Sequence, residues 1–178
     1  MTFLRILRVQ RMPNRPTRGI INADGRIIHC ALGRSGTSVF KREGDGATPS
    51  NHALKPICGF FRGDRVVRPA SALEFDPIDI DDGWCDASSN ANYNMPVNLP
   101  FGASHEVMMR NDQLYDICVV LDWNMPSKGR RRNRGSAIFM HICKPGYQPT
   151  EGCIALKEAD MRWLLKYINV ETRIIVSR

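Results

Sequence analysis

SAIFMHICKPGYQPTEGCIAL, residues 136–156, is the stretch on which the fold turns. Its apolar run, Ala137 to Ile142, contains His141 and is followed at once by Cys143. A nine-residue loop rich in proline and glycine, Lys144 to Gly152, leads to Cys153. A short apolar run bounded by turn residues reads as a buried strand. His141 then lies at the strand's C-terminal end, and the loop doubles back to bring Cys153 near it. A thiol attacks as thiolate, and a neighbouring imidazole is the usual means of forming one near neutral pH. Gly152 permits a tight turn, so that the amides of Gly152 and Cys153 can face an incoming carbonyl oxygen. The alternative is a histidine and a cysteine that merely fill the core, where both are common.

Outward from this stretch, the C-terminal side holds one clear helix. Met161, Leu164, Leu165 and Ile168 recur at helical spacing within Lys157 to Ile168, and Thr172 to Ser177 closes the chain as a strand. On the N-terminal side, Leu114 to Trp123 is apolar enough for a central strand, with Asn111-Asp112 predicting a hairpin to His105–Arg110. Residues 62–105 hold four prolines and little periodicity, which predicts a long irregular lobe over one end of the sheet. Its Trp84, Tyr93 and Phe101 argue for order. Residues 53–61 predict a short strand, with Pro56 confining it to an edge or a bulge. Lys41 to Pro49 is polar and glycine-rich and reads as a surface loop. Arg18–Ile21 and Arg26–Leu32 flank Asn22-Ala-Asp-Gly25, a hairpin signal, and Phe3–Val9 is an imperfect strand. Many strands and one helix give a mostly-β, β-sandwich or barrel-like domain spanning 1–178.

The 178 residues suffice for a core without staples, and 43% hydrophobic against 24% charged residues is ordinary for a globular chain. No apolar stretch approaches the ~20 residues of a membrane span. The start, MTFLRILRVQR, lacks the apolar centre of a secretion signal, which predicts no export address in the chain as given. A net charge of +7 favours an anionic partner, while Lys128 to Arg134 (KGRRRNR) reads as a solvated, mobile loop. No nucleic-acid module appears, so no nucleic acid is expected. Six cysteines lack any CxxC pair and sit mostly in apolar surroundings, as reduced core residues do. His141, Cys143, Cys153 and His105 could be drawn as a metal site, but zinc sites have tighter paired spacings, so neither metal nor cofactor is expected.

Gly135-Ser-Ala-Ile-Phe-Met-His141 followed by Pro149-Thr-Glu-Gly-Cys153-Ile resembles the catalytic motif of the L,D-transpeptidase (YkuD-type) family, in its small stand-alone branch. The resemblance extends through Asp81-Asp-Gly-Trp-Cys85, Asn92-Tyr-Asn94, Ser104-His-Glu106 and Leu114-Tyr-Asp116. It implies a β-rich catalytic domain in which Cys153 is the nucleophile and His141 its base. A backbone carbonyl would orient the histidine, since no acidic residue follows at a fixed spacing. Thr150, Trp84, Tyr93, Asn94 and His105 are candidate substrate contacts; packing the lobe is the alternative for Trp84, Tyr93 and Asn94. Glu151 and Ala155 depart from the family pattern, and Glu151 faces either solvent or a cationic part of the substrate.

The implied partners are peptidoglycan stem peptides or muropeptides, and the implied chemistry is a thioester at the third stem residue with loss of D-alanine. Resolution by an amine gives a transpeptidase, and resolution by water gives an L,D-carboxypeptidase, which a chain without an export signal would favour. A non-catalytic binding module is the third possibility. The resemblance also implies acylation by carbapenems and a place in the cell envelope.

Overall fold

The computed structural model describes residues 2–177. The chain opens with β1 (Ile6–Met12), β2 (Arg15–Ala23) and β3 (Arg26–Ala31), paired antiparallel in sequence order. Asp24 and Gly25 turn β2 into β3 with φ of 53° and 91°, the positive values that Asp-Gly supplies at low cost. Short strands β4 (Thr37–Ser38) and β5 (Thr48–Pro49) pair in parallel. Then come β6 (Ala53–Leu54), β7 (Pro56–Phe61), β8 (Phe75–Pro77), β9 (Asp82–Cys85), β10 (Pro96–Asn98) and β11 (His105–Val107). The chain finishes with β12 (Ile117–Leu121), β13 (Phe139–Ile142), β14 (Ile154–Leu156), helix α1 (Glu158–Leu165) and β15 (Arg173–Ser177). Ten strands form one sheet in the order β6-β15-β1-β2-β3-β14-β13-β12-β7-β8, and β10-β9-β11 form a second, so the fold is mostly β.

Strand period two sorts the central residues onto the two faces of the large sheet. Ile117, Val119 and Leu121 of β12, Met140 and Ile142 of β13, and Ile154 and Leu156 of β14 join one cluster with Met161, Leu164, Leu165 and Ile168. Each fully buried side chain of this kind contributes about 2 kcal/mol. The alternate residues Cys118, Val120, Phe139 and Cys153 join a second cluster with Ile78 and Trp84 of the lobe and with Met108 and Tyr115, which follow it in the chain. Being covered on both faces explains why β12 reads as a continuous apolar run.

Several expectations change. The 62–105 lobe is not irregular throughout, since it contains β8, β9 and β10. The 105–123 hairpin does not form: β11 pairs with β9, while β12 pairs with β7 and β13. Residues 41–49 are not a surface loop. Lys41 is buried because Asp45 neutralises it at 2.6 Å, and Ala47 and Thr48 are buried beside it. The strand expected from Ala137 begins only at Phe139, because Ala137 takes a positive φ of 49°. Pro56 lies at a register shift opposite Leu121, the bulge rather than the edge. The basic loop is anchored: Arg130 donates to the carbonyl oxygens of Tyr93 and Ala91, and Trp123 Nε1 donates to Arg134 O at 2.8 Å. All six thiols are free. Among the described residues no helix is long and apolar enough to cross a membrane.

Candidate active site

Strands β13 and β14 run parallel, with His141 opposite Ala155 and Met140 opposite Ile154. Cys153, two residues before Ala155, therefore shares the lobe-side face with His141 as a diagonal neighbour. Both line one cavity of about 200 Å³, together with Glu106, Arg110, Tyr115 and Lys144. The sequence stretch that suggested the pair thus places its two members at one opening. Among the described residues, no three His, Cys, Asp or Glu side chains gather as a metal site requires.

His141 is 5% exposed, and its Nδ1 lies 2.8 Å from the carbonyl oxygen of Ile142. A carbonyl only accepts, so Nδ1 carries the ring proton and Nε2 is left with the lone pair. The orienting group is a backbone carbonyl, as the absence of a spaced acid suggests. Tyr115 packs edge-on against the imidazole, with ring centroids 5.5 Å apart. Burial lowers the His141 pKa from 6.5 to about 4, so the ring is a neutral base at physiological pH.

Cys153 Sγ donates to Ala137 O at 3.2 Å and accepts from the Phe139 amide at 3.4 Å. Burial first, and the charge of Glu106 second, push its thiol up to about 12. Both shifts favour the uncharged forms, so His141 is the group that must take the Cys153 proton to form the attacking thiolate. The pair rests as neutral thiol and neutral imidazole, and the proton must move as the substrate is attacked.

The loop before Cys153 is shaped by Thr150. Its hydroxyl donates to Cys153 O at 2.7 Å and accepts from the Gly152 amide at 3.2 Å. Thr150 lines the cavity, but its hydroxyl is occupied in closing this turn. The same bond engages the Gly152 amide proposed for an oxyanion. Gly152 has φ of 137°, and a Cβ there would lie 2.9 Å from Ala47 O, so only glycine fits. Glu151 is largely exposed and pairs with Arg34 at 2.8 Å, a partner 117 residues away in the chain.

The structure places the other candidates away from the cavity. Asn94 is buried; its Oδ1 accepts from Ala137 N at 2.9 Å and from Trp84 Nε1 at 3.1 Å, and its Nδ2 donates to the carbonyl oxygens of Trp123 and Asn124. Asn94 and Trp84 thus hold the turn whose carbonyl receives the Cys153 thiol. Tyr93 is buried and donates its hydroxyl to Glu43, which also accepts from Ser136. His105 Nδ1 bonds Ala103 O at 2.7 Å and the ring packs edge-on against Phe101.

Glu106 and Tyr115 are the residues to which sequence reasoning assigned no role. They lie in segments already singled out, Ser104-His-Glu106 and Leu114-Tyr-Asp116, and the Tyr115 hydroxyl donates to Glu106 Oε2 inside the cavity.

The family model for the L,D-transpeptidase catalytic domain (YkuD) matches residues 14–176 of the chain. Among the curated proteins and the solved structures, none matches it.

Proposed function

We propose a chemistry that proceeds from one fact: the chain belongs to the L,D-transpeptidase (YkuD-type) catalytic-domain family, whose enzymes act on peptidoglycan peptides. Cys153 is the nucleophile and His141 the base. The observation that supports this reading is that both line one cavity on adjoining parallel strands, with the His141 tautomer set by Ile142 O.

In the proposed reaction, Sγ attacks the carbonyl of the third stem residue while its proton passes to His141 Nε2. The Cys153 amide faces the developing oxyanion, since the Gly152 amide is engaged by Thr150. The carbon–nitrogen bond to D-alanine then breaks, and His141 returns the proton to the departing amine. This leaves a thioester on Cys153 and a neutral imidazole. An acceptor amine attacks the thioester and forms the cross-link as the carbon–sulfur bond breaks, and its proton passes by way of His141 to the released Cys153 sulfur; water in place of the amine gives the free tripeptide.

A neutral resting pair suits this reaction, because a standing thiolate is open to oxidation and alkylation before substrate arrives. Incubation with a purified tetrapeptide stem followed by mass analysis tests the reading. A cross-linked dimer with released D-alanine is expected, tripeptide alone would select the hydrolytic branch, and unchanged stem would remove the catalytic reading.

A further inference from the structure

We propose that Glu106 is the receptor for a cationic group of the acyl donor, an ammonium carried close to the scissile carbonyl. The inference rests on the peptide-acyl reading of the Cys153 site and adds a specificity element to it. Glu106 lines the same cavity as Cys153 and His141. One of its carboxylate oxygens, Oε2, accepts from the Tyr115 hydroxyl, and this is its one side-chain hydrogen bond among the described residues.

The ladder pairs Cys85 with His105 and Trp84 with Glu106, which puts Asp86 and Glu106 on one face of the small sheet as diagonal neighbours. Asp86 Oδ1 is itself buried without a hydrogen-bond partner among the described residues. Arg110, the cation that acts on Glu106, is held in a two-pronged pair by Asp112 at 2.8 and 2.7 Å and lies over the Tyr115 ring. Glu106 is half-buried, and Arg110 and Lys144, the cations that line the cavity with it, form no ion pair with its carboxylate among the described residues. A half-buried carboxylate with one oxygen left unbonded is a ready acceptor for a charged N–H donor. Burial correspondingly raises the Glu106 pKa even though the Tyr115 bond acts against the rise.

Glu106 is the leading charge that holds the Cys153 thiol up. An ammonium bound at Glu106 cancels that charge, so a correctly substituted donor both docks and eases loss of the thiol proton. A donor lacking the ammonium does neither.

The test compares two tetrapeptide donors that differ at the third residue, lysine against its uncharged isostere norleucine. Binding is measured by calorimetry on the full chain carrying Cys153→Ala, with and without Glu106→Gln, and acylation is followed by mass on the chains that retain Cys153. Glutamine keeps an acceptor for the Tyr115 hydroxyl, and a thermal melt checks that the variant is folded. The lysine donor should bind at least about tenfold more tightly than the norleucine donor, a difference of 1.4 kcal/mol. Glu106→Gln should bring that ratio to about one, mostly through KM in the acylation assay. Equal binding of the two donors to Cys153→Ala overturns the proposal even if Glu106→Gln fails to fold. A preference that survives Glu106→Gln overturns it as well. Absence of acylation by either donor would instead remove the peptide-acyl reading, and the binding ratio would still decide the role of Glu106.

Discussion

Acid should destabilise the protein through His141, and the size of the effect follows from its surroundings. The folded-state pKa is about 4, against 6.5 for the free side chain, because the ring is buried. A histidine with a depressed folded pKa binds its proton more readily in the unfolded chain. Its contribution to stability is therefore complete above about 6.5 and is lost as pH falls toward about 4. Between pH 7 and pH 5 the linkage relation gives a loss of about 2 kcal/mol from this one group. Other groups titrate in the same window, so the assay compares urea unfolding of wild type and His141→Gln at both values. Glutamine retains an amide that can donate to Ile142 O and carries no titration. The wild type should lose about 2 kcal/mol more than the variant over this interval. Equal losses would show that His141 is solvated or charged in the native state, and would refute the neutral-pair argument. The same shift predicts that kcat/KM keeps its full value down to pH 5 and falls only near pH 4.

Asn94→Ala should destabilise the fold by about 3 kcal/mol, because it strands the buried Trp84 indole and the Ala137 amide together. Chemical denaturation checks this, and a loss below 1 kcal/mol would contradict it. Glu151→Gln should change kcat/KM less than about threefold and leave stability within about 0.5 kcal/mol, since its partner Arg34 and the pair itself are exposed. A collapse of activity in steady-state assays would give the Glu151 carboxylate a part in the reaction. A carbapenem should add one drug mass to the wild type and none to Cys153→Ala, while modification of a lysine or another cysteine would speak against the assigned nucleophile.

The His141–Cys153 relation was legible because both residues belong to one strand–loop–strand segment, and parallel pairing of its strands leaves little freedom. The helix was legible from Met161, Leu164 and Leu165 for the same local reason. What sequence could not show depends on partners far apart in the chain. Glu151 finds Arg34 across 117 residues, and Asn94 reaches Ala137 across 43. Neither pairing leaves a periodic trace. The Asn111-Asp112 turn looked like a hairpin because turn chemistry is local, whereas the competition of β9 for β11 is settled by burial of Trp84 against Phe139. Lys41 appeared solvent-exposed because a single letter does not reveal the Asp45 carboxylate that permits its burial.

The central claim is that Cys153 carries the acyl group. Brief incubation of the wild type with a tetrapeptide stem, acid quenching and mass mapping of the peptides tests it most directly. The peptide containing Cys153 should gain the mass of the stem less D-alanine, and its thioester should be released by hydroxylamine. An acyl group found on any other residue, or turnover that persists in Cys153→Ala, would contradict the account.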